Sequence, residues 1–328
     1  MIPSSEQQQV VDAPLESLRI VAGAGTGKTT TVAMRVDALV RLHHLEPEEI
    51  LGITFTNKAA QELADRIRAT IGPLVGPGRE VEIHTYHGFA SQLLHEFGAL
   101  VGIERSASLM TPTLSRQLLG SLMIEGDLFH FDPTLRTSVE RLRALGSAVA
   151  DNLLTPVELI ESATTEPPWP ERVEMARILE HYESEKRRLG VVDFADLISA
   201  AHRLVVEHRE VATAMRGRTR AVLLDEYQDT NPAQRELLRE LFGDHIPVLA
   251  VGDEDQTIYE WRGASLHNFR AFPEHFPTDG KPARTLHLSQ NRRSGQAILT
   301  VANRVRAEID AAERLPLVPR ETAPAAVV

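Results

Sequence analysis

Two short runs of this sequence carry the residue types that chemistry on a phosphoanhydride requires. The first is Ala22-Gly-Ala-Gly-Thr-Gly-Lys-Thr29. Ala22, Gly23, Ala24, Gly25, Thr26 and Gly27 form a Gly-rich turn whose backbone N–H groups can curl round phosphate oxygens. A helix begun by Lys28, Thr29 and Thr30 adds the favourable field of its N-terminus. Lys28 then reaches the β- and γ-phosphates, and Thr29 offers its hydroxyl to Mg²⁺. The strict pattern has Gly where Ala22 stands, and taken alone such a loop also reads as a tight turn. The second run is Asp225-Glu226, directly after the apolar segment Ala221-Val-Leu-Leu224. It places two carboxylates at the C-terminal edge of a strand, where ligands bind in open α/β sheets. Asp225 there holds Mg²⁺, and Glu226 orients and deprotonates an attacking water. A lone Asp-Glu after a strand is usually a solvated loop. The two runs together, in this order and context, point to a bound nucleoside triphosphate.

The elements that must position these groups are legible as alternating patterns. Short β-rich runs stand at Leu18–Ala22, Ile50–Phe55, Glu80–Thr85, Ala221–Leu224, Pro247–Val251 and Thr285–Leu288. Amphipathic runs follow them, from Lys28 to Leu42, from Ala59 to Ile71 and from near His87. That alternation predicts an α/β fold with a parallel sheet covered by helices. Between about Glu104 and Gly190 the strands disappear. That stretch holds helical runs such as Val173–Leu189, broken by Pro156 and the Pro167-Pro168-Trp169-Pro170 cluster, and it reads as an inserted helical domain. Within it, Glu183-Ser-Glu-Lys-Arg-Arg188 reads as a solvated face of mixed charge. The Ala-Ala-Val-Val end of the tail reads as the opening of a further strand.

Composition limits the partners. The 328 residues hold 35 Lys+Arg against 46 Asp+Glu, a net charge of −11, whereas nucleic-acid binders are usually basic. No third of the chain is basic, so nucleic acid, if bound, is held by a few placed groups. Cysteine is absent, which removes disulfides and thiolate chemistry. The N-terminus lacks a signal peptide's basic and apolar regions, and no apolar run approaches the roughly 20 residues that span a bilayer. The expectation is a cytoplasmic protein.

Asp225-Glu-Tyr-Gln-Asp-Thr-Asn231 resembles motif II of the UvrD/Rep/PcrA helicases of superfamily 1, and other segments agree with it in order. Gln7, in Ser-Ser-Glu-Gln, resembles the Q motif. Ile53-Thr-Phe-Thr-Asn-Lys-Ala-Ala60 resembles motif Ia, and Thr85-Tyr-His-Gly-Phe89 resembles motif Ib with Gly88 in place of the usual Ser. Asp193-Phe-Ala-Asp-Leu197 matches a further family segment. Val251–Ala264 resembles motif III and Leu288–Ser294 motif IV. The resemblance implies a RecA-like ATP-binding domain (1A) over 1–103 and 191–310 and an inserted helical domain (1B) over 104–190. Residues 311–328 would then be a tail or the start of a second RecA-like domain (2A).

The resemblance further implies an ATP- and Mg²⁺-dependent motor moving 3′→5′ on single-stranded DNA in repair or recombination. Gln7 would read the adenine edge, Gln256 would sense the γ-phosphate, and Arg293 would stabilise transition-state charge. Phe55, Tyr259 and Trp261 would stack on bases, which needs no sequence readout, while Thr56, Asn57, His87 and Arg262 would hold the strand. Core packing is the competing assignment for the aromatics, Phe55 above all. Arg292 stands where the family usually has a Tyr that stacks on adenine; its guanidinium plane can stack in turn, or it can face solvent. Motifs V and VI do not occur before Val328, so domain 2A is expected in cis or in trans. His84 and His87 have a ligand-like spacing but no acidic third partner, which favours a structural or DNA-contacting role over metal. Three readings stand: the N-terminal part of a DNA helicase, the motor half of an AddA-like helicase–nuclease, and a non-translocating ATP switch that binds DNA or a partner.

Overall fold

The six apolar runs form one parallel sheet. Its strands are β1 (Leu18–Ala22), β2 (Ile50–Thr54), β3 (Glu82–Thr85), β4 (Ala221–Leu224), β5 (Val248–Gly252) and β6 (Arg284–Leu288). Their order across the sheet is β3-β2-β4-β5-β1-β6, with Leu18 opposite Leu249 and Arg284, and Ile53 opposite Leu224. The computed structural model describes residues 3–76, 78–126, 128–130, 132, 136–164, 169–258, 263–309 and 316–319. It divides into two compact units. One holds the described residues of Met1–Tyr86, Ala212–Thr230 and Leu241–Val328, the other His87–Val211 and Asn231–Glu240.

In the first unit the buried strands β2, β4 and β5 read as continuous apolar runs, as expected of a parallel sheet covered on both faces. Helix α1 (Ser5–Val11) precedes β1, α2 (Lys28–Arg41) follows β1, and α3 (Asn57–Ile71) follows β2. Thr56 caps α3 by accepting the Ala59 amide at 3.1 Å. Leu63, Ile67 and Ile71, spaced one turn apart, bury its inner stripe against Val32, Val36 and Leu39 of α2 and the sheet. Each such side chain contributes roughly 1.5–3 kcal/mol.

The second unit is built mainly from helices Pro112–Glu125, Arg136–Asp151, Pro156–Thr164, Pro170–Leu189 and Asp196–Glu207. Leu119, Met123, Leu142, Met175, Ile178, Leu179 and Tyr182 form its core. It differs from the sequence reading in two respects. Ser108–Leu109 pairs in parallel with Val191–Val192, so the 104–190 stretch does contain a strand; two residues are too few for alternation to register. The 183–188 segment is not wholly a solvated face. Lys186 is 3% exposed, lies over the Tyr182 ring and is ion-paired with Glu183 and Asp196. A lysine is buried when partners replace its hydration, and one of those partners, Asp196, lies outside the helical repeat.

The Ala-Ala-Val-Val tail lies outside the described residues, but Val318–Pro319 pairs in parallel with Gln290–Asn291. Among the described residues no helix is long and apolar enough to cross a membrane.

Candidate functional site

Strand β1 ends at Ala22 and helix α2 begins at Lys28, so the Gly-rich turn spans the C-terminal sheet edge and a helix start. Gly25 (φ 73°) and Gly27 (φ 89°) adopt the left-handed backbone that lets the loop close. Gly27 occupies the N-cap of α2 with no side chain capping the helix, so its first N–H groups stay available to an anion. Thr26 braces the turn by donating its hydroxyl to the Gly23 carbonyl at 2.7 Å. Thr29 is half-buried at the mouth of the turn, and Thr30 accepts from Arg66.

Two other segments hold this loop. Gln7 is 1% exposed; its amide nitrogen donates to the Thr26 carbonyl at 3.3 Å and to the Thr31 hydroxyl at 3.1 Å. Its oxygen accepts the Ser4 amide at 3.1 Å. On the other side the Arg292 amide donates to the Gly25 carbonyl at 2.8 Å, and Asn291 donates to the Ala24 carbonyl at 2.6 Å. Asn291 also accepts the amides of Arg293 and Ser294. A Cβ at Gly25 would lie 2.6 Å from the Asn291 side chain, so the loop and the 291–294 turn fit against each other. Arg292 is half-buried and Arg293 exposed.

Strand β4 delivers Asp225, 5% exposed, whose amide donates to the Ile53 carbonyl of β2 at 3.0 Å. Burial, reinforced by the neighbouring Glu226 carboxylate, pushes the Asp225 carboxyl up to about 6. Glu226 itself leaves the strand in the left-handed region (φ 52°, ψ 42°), a conformation that costs a non-glycine residue roughly 1–2 kcal/mol. Lys28 Nζ donates to Glu226 Oε2 at 2.9 Å. The structure thus brings the loop lysine beside the Asp225–Glu226 carboxylates. Asp229 is buried nearby and, for the same reasons as Asp225, is pushed up to about 6.

Gln256 joins the group indirectly. It donates to Asp253, whose amide donates to Gln228 Oε1 at 3.1 Å, and Gln228 donates to Glu226 Oε2 at 2.9 Å. Gln228 (1% exposed) and Asn291 (2% exposed) were not singled out from the sequence. Their one legible signal is position, each within three residues of a charged candidate.

Phe55 is half-buried and Thr56 and Asn57 are exposed at the C-terminal end of β2, beside the strand that carries Asp225. His87 belongs to the second unit. There its ring stacks on Phe194, with centroids 3.9 Å apart and planes 12° apart. Phe194 is 56% exposed, and its turn is fixed by Asp193, which accepts the Ala195 and Asp196 amides and the Tyr182 hydroxyl. The sequence alone assigns Phe194 no role; an apolar ring directly after an acid, in Asp193-Phe194-Ala195-Asp196, is its one legible signal. Tyr259, Trp261 and Arg262 lie outside the described residues. Glu82 Oε2 lies 3.8 Å from His84 Nε2, and among the described residues no group of three His, Cys, Asp or Glu could hold a metal ion by itself.

The sequence matches the family described as the UvrD/REP helicase N-terminal domain over residues 4–277. The chain belongs to that family. It is 32% identical over 301 residues to DNA helicase II of Escherichia coli K12 and 34% identical over 310 residues to the ATP-dependent DNA helicase UvrD1 of Mycobacterium tuberculosis H37Rv. It is 31% identical over 304 residues to the ATP-dependent DNA helicase PcrA of Staphylococcus aureus NCTC 8325. Each alignment covers 92% of this chain and 38–39% of the relative. The chain therefore spans about two-fifths of the length of the relatives it matches. Membership in the UvrD/REP family accords with the six-stranded parallel sheet and with a nucleotide loop and carboxylate pair on one sheet edge.

Proposed function

We propose that this chain is the ATP- and single-stranded-DNA-binding N-terminal region of a 3′→5′ DNA helicase acting in repair or recombination. The observation that carries the proposal is the Lys28–Glu226 pair at the mouth of a loop with an uncapped helix behind it. A phosphate arriving there offers Lys28 a stronger partner and releases Glu226 to hold the attacking water. Asp225 and Thr29 would hold Mg²⁺, which when bound neutralises charge on the phosphates. One carboxylate and one hydroxyl suit an ion that keeps several waters and takes phosphate oxygens, and burial of Asp225 leaves a carboxylate in want of a cation. Gln256, through Asp253 and Gln228, reports to Glu226.

Gln7 supports the loop directly, and reading adenine requires its amide to exchange the Thr26 carbonyl for the base. Arg292 stacks on the adenine and Arg293 faces the phosphates. Phe55, Thr56 and Asn57, with His87 and Phe194, supply stacking and backbone contacts to the strand, joined by Tyr259, Trp261 and Arg262. Domain 1A over 1–103 and 191–310 and domain 1B over 104–190 belong to the same reading. So does a second RecA-like domain, in cis or in trans, that completes the hydrolytic site. An arginine finger alone is worth about 10³–10⁵ in rate.

The test is a titration of the purified chain with ATP and Mg²⁺ and with a fluorescent oligo(dT). We expect Mg²⁺-dependent ATP binding and weak DNA binding whose log–log salt slope is shallow, about −1.5 to −3 for two to four neutralised phosphates. Absence of ATP binding overturns the site assignment. Robust strand separation by the chain alone overturns the need for a second RecA-like domain.

A further inference from the structure

The backbone passes between the two units at four places, after Tyr86, Val211, Thr230 and Glu240. Two of these exits are tied together. Tyr86 Oη and Thr230 Oγ1 are 3.0 Å apart, with Tyr86 3% and Thr230 0% exposed. Burial, with the Asp225 and Asp229 carboxylates nearby, holds the Tyr86 hydroxyl well above its ordinary range. It is therefore a neutral hydroxyl exchanging a hydrogen bond with another, in a place water does not reach. A buried pair of this kind is expensive to leave unmade, because neither oxygen has an alternative partner in solvent.

Thr230 is fixed on its other sides as well. Its amide donates to the Tyr227 carbonyl at 3.1 Å, and its carbonyl accepts the Ser265 amide at 3.2 Å and the Asn268 side chain at 2.9 Å. Four residues before it stands Glu226, partner of Lys28. The residue after Tyr86 is His87, stacked on the exposed Phe194 ring. One hydroxyl pair thus links the segment that carries Asp225 and Glu226 to the backbone that carries the stacked His87–Phe194 pair. The buried phenyl ring would be equally well served by Phe; only the hydroxyl makes the link.

We propose that Tyr86 is a positioning residue whose hydroxyl, bonded to Thr230, couples nucleotide occupancy at Asp225–Glu226 to single-stranded-DNA binding at His87 and Phe194. The proposal rests on the functional reading above. It assigns Tyr86 no contact with either ligand. A coupling of this kind is reciprocal: the factor by which nucleotide changes DNA affinity equals the factor by which DNA changes nucleotide affinity.

The test compares the chain with its Tyr86→Phe, Thr230→Val and Thr230→Ser variants and the Tyr86→Phe/Thr230→Val double variant. Affinity for fluorescein-labelled oligo(dT) is measured with and without a non-hydrolysable ATP analogue and Mg²⁺, and analogue affinity with and without oligo(dT). In the parent chain the two ratios should agree. Tyr86→Phe and Thr230→Val should each leave analogue affinity without DNA, and DNA affinity without analogue, within about twofold. They should move the ratio toward one by about three- to tenfold, the range one neutral hydrogen bond sustains. The double variant should do no more than either single one, and Thr230→Ser, which keeps the hydroxyl, should keep the ratio. Should Tyr86→Phe fail to fold, the Thr230→Val and Thr230→Ser pair decides. A parent chain that binds neither ligand overturns the functional reading and this proposal with it. A parent chain that binds both, with a ratio that Tyr86→Phe or Thr230→Val leaves unchanged, overturns this proposal alone.

Discussion

Removing the Arg35 guanidinium should loosen the candidate nucleotide site without touching it. Arg35 lies on α2, two turns beyond Lys28, and is 2% exposed. It donates to three backbone carbonyls, Val11 at 3.0 Å, Ala13 at 2.5 Å and Pro14 at 2.6 Å. These are the last carbonyls of α1 and the turn after it, which a helix leaves without partners. Burial pushes the guanidinium down to about 10, partly offset by the Glu16 carboxylate, so it stays charged at neutral pH. Three charge-assisted bonds at about 1.5–3 kcal/mol each are lost in Arg35→Met. Relief of the buried charge's desolvation offsets part of that, leaving about 3–5 kcal/mol of destabilisation. For a unit of this size each kcal/mol lowers the transition by about 2–4 °C, so calorimetry should show a fall of about 6–20 °C. Because α1 carries Gln7, ATP affinity should fall as well, and hydrogen exchange of the α1 amides should quicken. Arg35→Lys, which keeps the charge but not the fork, should land between. A transition within 2 °C of the parent, with unchanged α1 exchange, would refute the reasoning.

Four further expectations follow from the geometry. Lys28→Met should lower affinity for the triphosphate by at least about tenfold, since it removes the cation paired with Glu226; equilibrium binding of a fluorescent ATP analogue checks this. Gly25→Ala combines a left-handed backbone with a Cβ 2.6 Å from Asn291, so denaturant unfolding should show about 1–3 kcal/mol lost, with weaker ATP binding. In the second unit, burial pushes the Asp151 carboxyl up to about 6, above its unfolded value. The folded chain therefore binds the proton more tightly between about pH 4 and 6, and stability falls as pH rises through that window. Asp151→Asn, which can still accept from Asn231, should flatten that slope and stabilise the unit at neutral pH by on the order of 1 kcal/mol after screening. Finally, Arg292→Tyr should change the ratio of ATP to GTP affinity; an identical ratio and affinity in both proteins would show that Arg292 does not face the base.

What could be read from the sequence was whatever repeats at a fixed period or sits beside a distinctive neighbour. The strand at Leu18–Ala22 and the helix from Lys28 matched to within a residue because periodicity and glycine mark both edges. Ala59–Ile71 was read two residues short at its start, since Thr56 acts as a cap through a side-chain bond that no periodicity signals. Arg35 and Lys186 were invisible as buried cations. The carbonyls that hold Arg35 and the Asp196 carboxylate that holds Lys186 come from other elements, and a charged residue in an amphipathic helix looks solvated until those partners are placed. Gln228 and Asn291 were missed similarly, because a neutral amide becomes a strut only when two loops meet around it. The two-residue strand at Ser108–Leu109 depends wholly on its distant partner, Val191–Val192.

The strand order has a consequence for the chain as it is made. Strands β1 and β2 are consecutive but not adjacent; β4 and β5 lie between them. The phosphate loop after β1 thus leaves the ribosome more than 220 residues before β5, its neighbour on one side, and longer before β6 on the other. At about 5–20 residues per second the wait is roughly 10–45 s. Throughout it, the apolar stripes of β1 and α2 have no sheet to cover them, while the helices of the second unit meet partners close by in sequence. A nascent chain halted near residue 245 would therefore hold a helical unit able to fold beside an incomplete sheet. The interval in which this protein's apolar strand surface is most exposed is the one before the last two strands of its six-stranded sheet arrive.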